Sequence, residues 1–306
     1  MMNSENYIKE SIRKYESKYN HTLKKQNIPM DTKAHPELDQ SELLGIEEHK
    51  EFQHIIGLGQ WIVLTGRIDI TYAISSLARF ASSPRKGHLE MARHVLGYLK
   101  KYPTKGIVMD PKAPMINTKS IRDEKYEEFG HQYKYYTEEM DPYFPEFLIP
   151  ELEITIFCDS DHAHDLVTGR SITGLIAFVG STPVYWKSKR QTSVQTSTFG
   201  AEFTALKAAT ELAISLRYHL RSMGIKVSIP TRIFAYNMSV KISATNPATS
   251  LNKKAVALSY HFVRQHQAGK VIDIYHIRSE DNYADILTKP LNSTAFRTLV
   301  NEFMRN

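Results

Sequence analysis

One cysteine, two tryptophans and no pair of adjacent aspartates occur in 306 residues. The single thiol, Cys158, excludes an internal disulfide framework and a zinc site built from several cysteines. No apolar run reaches the roughly 20 residues that span a bilayer, and stretches such as Ile55 to Gly66 fall well short. The first residues are Asn, Ser, Glu and Lys rather than a basic start and an apolar core, so no secretory signal is visible. An intracellular protein that engages no membrane is the expectation. No internal repeat is evident.

What is present is ordinary for a globular chain: 42% hydrophobic and 24% charged residues, in a length that suits two domains. The formal net charge is +6, and its placement is informative. From Glu151 onward there are 18 Lys and Arg against 12 Asp and Glu, while the residues before Glu151 hold 21 of each. All of the excess therefore lies in the second half, as expected of a surface that meets a polyanion; proteins that never touch nucleic acid can also show an excess of this size.

The first 50 residues are polar, with a short helical stretch around Tyr7 to Tyr19 and a loop marked by Pro29 and Pro36. From about 48 to 112 the apolar residues recur at helical spacing. Leu77, Phe80 and Ala81 form one face, and Ala92, Val95, Leu96 and Leu99 another, with Pro84 and Gly87 between them. Residues 113–150 lose that period and read as a tether. The next segment alternates in type. Strands are predicted at Glu153 to Cys158, Ile172 to Val179 and Pro183 to Lys187, then a long helix from about Ala201 to Met223 capped by Gly224. A strand at Arg232 to Ala235, helices near Ser239 and at Leu258 to Gln267, a strand at Val271 to Ile277 and a short helix near Tyr283 to Leu287 follow. The pattern predicts an α/β domain with a mixed five-stranded sheet flanked by helices.

Hydrolysis of a phosphodiester by two divalent ions needs acids converging from several elements on an open site. Asp159 and Asp161 at the first strand's end, Glu202 near the start of the long helix and Asp285 on the last short helix are the candidates. Each also has a plainer role available: strand-end Asp residues cap turns, and Glu202 suits a helix's positive end. Lys187, Lys189 and Arg190 follow Trp186 and suit either phosphate contacts or a solvated strand end, and Lys253 and Lys254 form a similar pair. His162, His164 and His261 lack the fixed spacing of metal ligands and read as surface or core residues.

The blocks Phe157-Cys-Asp-Ser-Asp-His-Ala163, Arg170-Ser-Ile-Thr-Gly174, Thr182 to Gln191 and Ser197-Thr-Phe-Gly-Ala-Glu-Phe203 resemble the ribonuclease H domain of copia-type retrotransposon Pol polyproteins. So do Tyr260-His-Phe-Val-Arg264 and Asp281 to Lys289, and all six occur in the family's order. Upstream, Gly57-Leu-Gly-Gln-Trp61, Arg67-Ile-Asp-Ile70 and His88 to Leu99 resemble the segment after the reverse-transcriptase palm. The resemblance implies a remnant of that region over 1–112 (helical over about 48–112), a tether over 113–150, a ribonuclease H-like domain over 151–292 and a C-terminal tail over 293–306.

By position, the resemblance places catalytic, metal-holding acids at Asp159, Glu202 and Asp285, with Mg²⁺ or Mn²⁺ as cofactor. The remaining acid should stand in Phe234-Ala-Tyr-Asn-Met-Ser-Val240, where the sequence has Tyr236. A neutral phenol cannot replace a carboxylate as ligand to a hard cation, and its ring is expected to fill the space of the hydrated ion. Asn237 is a neutral oxygen ligand at best. If the first strand ends at Asp159, a loop is free to bring Asp161 closer. Metal binding and hydrolysis of RNA in RNA–DNA hybrids are therefore expected to be impaired. The alternatives are a non-catalytic nucleic-acid-binding remnant that retains the basic face (Lys187, Lys189, Arg190), one that associates with an intact Pol protein, and a decayed insertion. The family's Tyr-x-Asp-Asp polymerase motif is missing, and no polymerase activity is expected.

Overall fold

The computed structural model describes residues 2–109, 133, 136–246 and 257–305. The chain opens with strand β1 (Met2–Asn3) and helix α1 (Glu5–Tyr19). Helices α2 (Ile46–Leu64), α3 (Thr71–Ala78) and α4 (Lys86–Lys101) follow, then strand β2 (Gly106–Ile107). The second half runs β3 (Ile154–Asp161), β4 (Ile172–Val179), β5 (Thr182–Arg190), α5 (Thr198–Ser222) and β6 (Thr231–Ala235). Helices α6 (Met238–Thr245) and α7 (Ala257–Ala268) and strand β7 (Ile272–His276) come next. A 3-10 turn at Tyr283–Leu287, helix α8 (Ser293–Phe303) and strand β8 (Met304–Arg305) complete it.

The main sheet has the order β5-β4-β3-β6-β7. β3, β4 and β5 pair antiparallel, the last two through a two-residue turn, whereas β3, β6 and β7 are parallel and need crossovers. Helix α5 supplies one crossover, and α6 and α7 the other. This is the predicted mixed five-stranded sheet. Helix α5 is delimited by local chemistry at both ends. The Ser197 hydroxyl accepts from the Gly200 N–H, and Gly224 takes the left-handed conformation (φ +75°) so that the Ile225 N–H can reach the Leu220 carbonyl.

Both faces of the sheet are covered, which explains why β4 is buried almost throughout instead of alternating. Ile156, Cys158, Leu175, Ala177, Ile233 and Ala235 pack with α5, α6 and α7. Phe157, Ile176, Phe178 and Phe234 belong to a second core shared with α1 to α4 and α8. The helical module thus lies directly on the sheet. In α4, Leu89, Ala92, Val95, Leu96 and Leu99 recur at the spacing that makes one apolar stripe, and each fully buried aliphatic side chain contributes roughly 1.5–3 kcal/mol. Of the other predicted face, Leu77 is buried in α3, but Phe80 and Ala81 lie past its end and are half-buried. Helices α2 and α3 approach closely at Gly59, where a Cβ would stand 2.3 Å from Ile74 Cδ1.

Two stretches are more structured than the sequence suggested. Residues 293–306, read as a tail, carry α8, whose Phe296, Leu299, Val300 and Phe303 are buried at helical spacing behind an Asn292 cap. Strand β8 then pairs with β2, which pairs with β1. Of the stretch read as a tether, residues 136–150 follow α5. The Glu138 carboxylate accepts from Arg217 and Arg221, and the Leu148 N–H donates to the Gly224 carbonyl.

Candidate active site

The carboxyl ends of β3 and β6 and the 3-10 turn at Tyr283–Leu287 meet at one edge of the sheet. Asp159 is on β3, directly opposite Gly174 of β4. That glycine makes the site possible. A Cβ on Gly174 would stand 2.8 Å from the Ala284 carbonyl oxygen, 2.8 Å from Thr288 Cγ2 and 2.9 Å from Leu287 Cβ. Only a hydrogen there lets the turn carrying Asp285 settle over the strand. The buried Asn282 fixes the same turn: its amide donates to the Cys158 carbonyl (3.2 Å), and its side-chain oxygen accepts from the Ala284 N–H (3.2 Å).

The three predicted acids are all buried, with Asp159 at 3%, Glu202 at 5% and Asp285 at 4% exposure. Asp159 Oδ2 accepts from Thr288 Oγ1 at 2.5 Å. Asp285 Oδ2 accepts from Ser279 Oγ (2.9 Å) and pairs with Lys289 Nζ (3.1 Å), while its Oδ1 is buried without a partner. Beside Glu202, the buried Gln191 amide donates to the Ala201 carbonyl (3.0 Å) and to Thr173 Oγ1 (2.9 Å), tying α5 to β4.

Crowding negative charge in a dry place makes ionisation costly. Burial first, and Asp285 second, push the Asp159 carboxyl up to about 6 against the help of Lys289 and Thr288. Burial and then Asp159 push Glu202 up to about 9. Lys289 responds in the opposite sense: burial disfavours its charge, but Asp159 and Asp285 outweigh it and hold the ammonium above its ordinary value. The acids therefore share one field in which the charge of Lys289 does not offset their own. They are hard oxygen donors, and the orphaned Asp285 Oδ1 is open to a cation. Their chemistry fits a divalent ion. Among the described residues, however, no three His, Cys, Asp or Glu side chains stand close enough to grip one together.

Tyr236 follows Ala235, the last residue of β6, which pairs with Cys158. It occupies the step beside Asp159, the place where the sequence reading expected an acid. The tyrosine is 49% exposed, and its ring centroid lies 6.2 Å from that of His276 on β7. Asn237 is committed to capping α6, accepting from the Ser239 and Val240 N–H groups. β3 continues through Asp161, so that carboxylate stays on the strand and accepts from His164 at 2.7 Å. His164 in turn meets the Tyr72 hydroxyl at 2.7 Å across the seam to α3.

The three basic candidates separate. Lys187 and Lys189 are exposed and share one face of β5, as residues two apart on a strand must. Arg190 points to the other face, with Trp186, whose Nε1 donates to the Val63 carbonyl, and its guanidinium donates to Asp165. Lys253 and Lys254 lie outside the described residues. His162 meets the Gln195 carbonyl and His261 the Tyr133 hydroxyl. Sequence reading missed Lys289, although it stands inside a quoted block, because a lysine among acids has no spacing rule. It also missed the Arg79–Asp165–Arg190 cluster, whose members are 86 and 25 residues apart.

Comparison with known proteins accords with the sequence resemblance. The chain is 27% identical over 252 residues to the Retrovirus-related Pol polyprotein from transposon RE1 of Arabidopsis thaliana, covering 82% of this chain and 15% of that protein. It is 27% identical over 276 residues to the corresponding RE2 polyprotein of the same plant, covering 90% of this chain and 16% of that one. The truncated transposon Ty1-A Gag-Pol polyprotein of Saccharomyces cerevisiae is 23% identical over 299 residues, covering 92% of this chain and 22% of that protein. The homologues are Pol polyproteins of copia-type retrotransposons, and the chain spans about 15% of the length of the plant relatives. No family model matches. Among solved structures, the N-terminal ribonuclease H domain of a Mycobacterium tuberculosis protein aligns with a TM-score of 0.36 and 14% identity, covering 49% of this chain and 97% of that one. LC11-RNase H1, solved in complex with an RNA/DNA hybrid, aligns with a TM-score of 0.36 and 16% identity, covering 44% and 94%.

Proposed function

We propose that this chain carries a ribonuclease H-like domain that binds RNA–DNA hybrids and whose hydrolysis of their RNA strand is impaired by the loss of one acid. The observation that carries the reading is the company around Asp159. Glu202 and Asp285 come from two other elements to share its field, while Tyr236 stands at the adjoining strand end. Asp159, Glu202 and Asp285 would hold Mg²⁺ or Mn²⁺, with weakened affinity. Such an ion, when bound, supplies activation of water and neutralises charge on the leaving oxygen. The protein's own part is to keep the carboxylates dry and fixed: Thr288 orients Asp159, Ser279 and Lys289 orient Asp285, and Gln191 anchors the turn of α5 that bears Glu202. The phenol of Tyr236 adds no anionic oxygen to this set at neutral pH, because an ordinary tyrosine ionises near pH 10.

The test is cleavage of an RNA–DNA hybrid in Mg²⁺ or Mn²⁺ by the unaltered chain, Tyr236→Asp and Asp159→Asn. Tyr236→Asp is expected to cut at least 100-fold faster than the unaltered chain, equivalent to about 2.7 kcal/mol of barrier. Robust cleavage by the unaltered chain that disappears in Asp159→Asn would overturn the reading.

A further inference from the structure

Asp161 is the last residue of β3 and stands two residues beyond Asp159. Residues two apart on a strand share a face, so the two carboxylates leave β3 on the same side, from Cα atoms about 6.8 Å apart. The site feels this charge. Asp161 is among the causes that push the Asp159 and Glu202 carboxyls up and that hold the Lys289 ammonium above its ordinary value.

Its surroundings differ from those of an acid that only holds the fold together. Asp165, four residues on, is buried and spends both oxygens on the protein: Oδ1 accepts from the Thr168 N–H, and Oδ2 from Arg79 and Arg190. Asp161 keeps 32% of its side chain exposed. Its Oδ2 accepts from His164 Nδ1 at 2.7 Å, while its Oδ1 has no hydrogen bond among the described residues. His164 is itself buried, and its Nε2 meets the hydroxyl of Tyr72, buried on α3, at 2.7 Å. The Tyr72 ring stands edge-on to the imidazole with centroids 5.7 Å apart. In the Nδ1–H tautomer the phenol donates to Nε2 and the imidazole donates to the carboxylate. The chain then closes with the ring neutral and the charge of Asp161 unspent.

One oxygen of Asp161 is thus aimed by a buried relay and the other is left unclaimed at the edge of an acid site. Mg²⁺ gives up its water reluctantly, so a carboxylate that stands back from the ion still binds it through a coordinated water. Such outer partners set much of a site's affinity. The buried, unpartnered Asp285 Oδ1 is an independent sign that a cation belongs among these acids. We propose that Asp161 is an outer carboxylate of the metal site, taking the ion's coordinated water, and that Tyr72 of the helical module aims it through His164. The proposal rests on the divalent-ion reading of the preceding section. It makes the module part of the site: a hydroxyl on α3 governs affinity for an ion held by β3, α5 and the last turn.

The test is titration with Mn²⁺, followed by the spin-resonance signal of the free ion, with no nucleic acid present. The unaltered chain is compared with D161N, D161E, Y72F, the double variant D161N/Y72F, and E211Q, which removes an exposed acid from α5. D161N is expected to bind about tenfold more weakly and Y72F about threefold more weakly. In the D161N background Y72F should add nothing, because Tyr72 acts through that carboxylate; a latch with no bearing on the ion would lower melting temperature alone. D161E keeps the charge while disturbing the same contacts, and both it and E211Q should bind within about twofold of the unaltered chain. Unchanged affinity in D161N or in Y72F, an equal loss in D161N and either D161E or E211Q, or a Y72F loss that persists in the D161N background overturns the proposal and leaves the three-acid reading intact. Absence of Mn²⁺ binding by the unaltered chain at millimolar ion overturns that reading, and this proposal with it.

Discussion

Replacing Glu202 by glutamine should stabilise the metal-free protein, and the pH dependence of that gain tests the electrostatics of the site. In the fold, burial and Asp159 raise the Glu202 carboxyl from its ordinary 4.5 to about 9. Between those values the unfolded chain has released the proton while the folded chain keeps it. Stability therefore falls as pH rises through this window, by up to about 1.4 kcal/mol per pH unit. At pH 7 the accumulated loss approaches about 3 kcal/mol. Glutamine preserves the volume and cannot ionise, but its amide needs partners in a place that supplies few. About half of the gain, roughly 1–2 kcal/mol, is the expected net effect. For a chain of this size that corresponds to a melting temperature higher by about 2–8 °C at pH 7.

The assay is calorimetric melting from pH 5 to 9 in chelator, unaltered chain beside E202Q. The two should converge near pH 5 and diverge toward pH 9, with the flatter profile belonging to the variant. Mg²⁺ should then raise the melting temperature of the unaltered chain more than that of E202Q, because the ion supplies the missing positive charge. At tenfold excess over its dissociation constant the ion stabilises by about 1.4 kcal/mol. A variant that melts lower at every pH with the original slope would falsify the premise that Glu202 resides in a charge-starved site.

Gly174→Ala should destabilise by about 1–3 kcal/mol in urea melts, since the added methyl meets backbone and side-chain atoms of the turn bearing Asp285 at under 3 Å; in a Tyr236→Asp background it should also lower the cleavage rate. Asp165→Asn should cost about 2 kcal/mol at pH 7, because it leaves two partly exposed guanidiniums facing each other. The Asp165 carboxyl is lowered from its ordinary 3.8 to about 2, where hydrogen bonds from Thr168 and Arg190 outweigh burial. Its contribution is complete above about pH 4 and is lost as pH falls toward 2, so acid unfolding should lose that component in the variant.

The strands and helices of the second half were legible because their periods differ and an end can carry a strong signal, such as Gly224 after α5. The choice of acids rested on the resemblance, since strand-end aspartates also serve turns. Helix α8 was readable in principle from Asn292 and the Phe296, Leu299, Val300, Phe303 stripe, but it is short and follows a proline. The docking of the module on the sheet left a signal too. Ile172 to Val179 is apolar on both faces, and a strand with no polar face needs a layer on each side. Which layer covers the second face depends on contacts between residues about 100 apart, such as Trp186 to Val63, and no local pattern encodes those.

In the function proposed above, position 236 is where the domain loses chemistry without losing its fold. The β6 ladder ends at Ala235, and Tyr236 is half-exposed with its ring toward His276, so its side chain contributes little to either core. Position 174 is the reverse: its absent side chain is a condition of packing, and any substitution there disturbs the turn whatever the chemistry requires. Residues at strand ends beside buried acids are free to drift as far as stability is concerned, because an acid there is itself a burden on the metal-free fold, as Asp159 and Glu202 show. Replacing a fourth carboxylate by a neutral phenol removes one more like charge from a field already short of counterions. Relaxed selection on hydrolysis would therefore be met by a gain in stability.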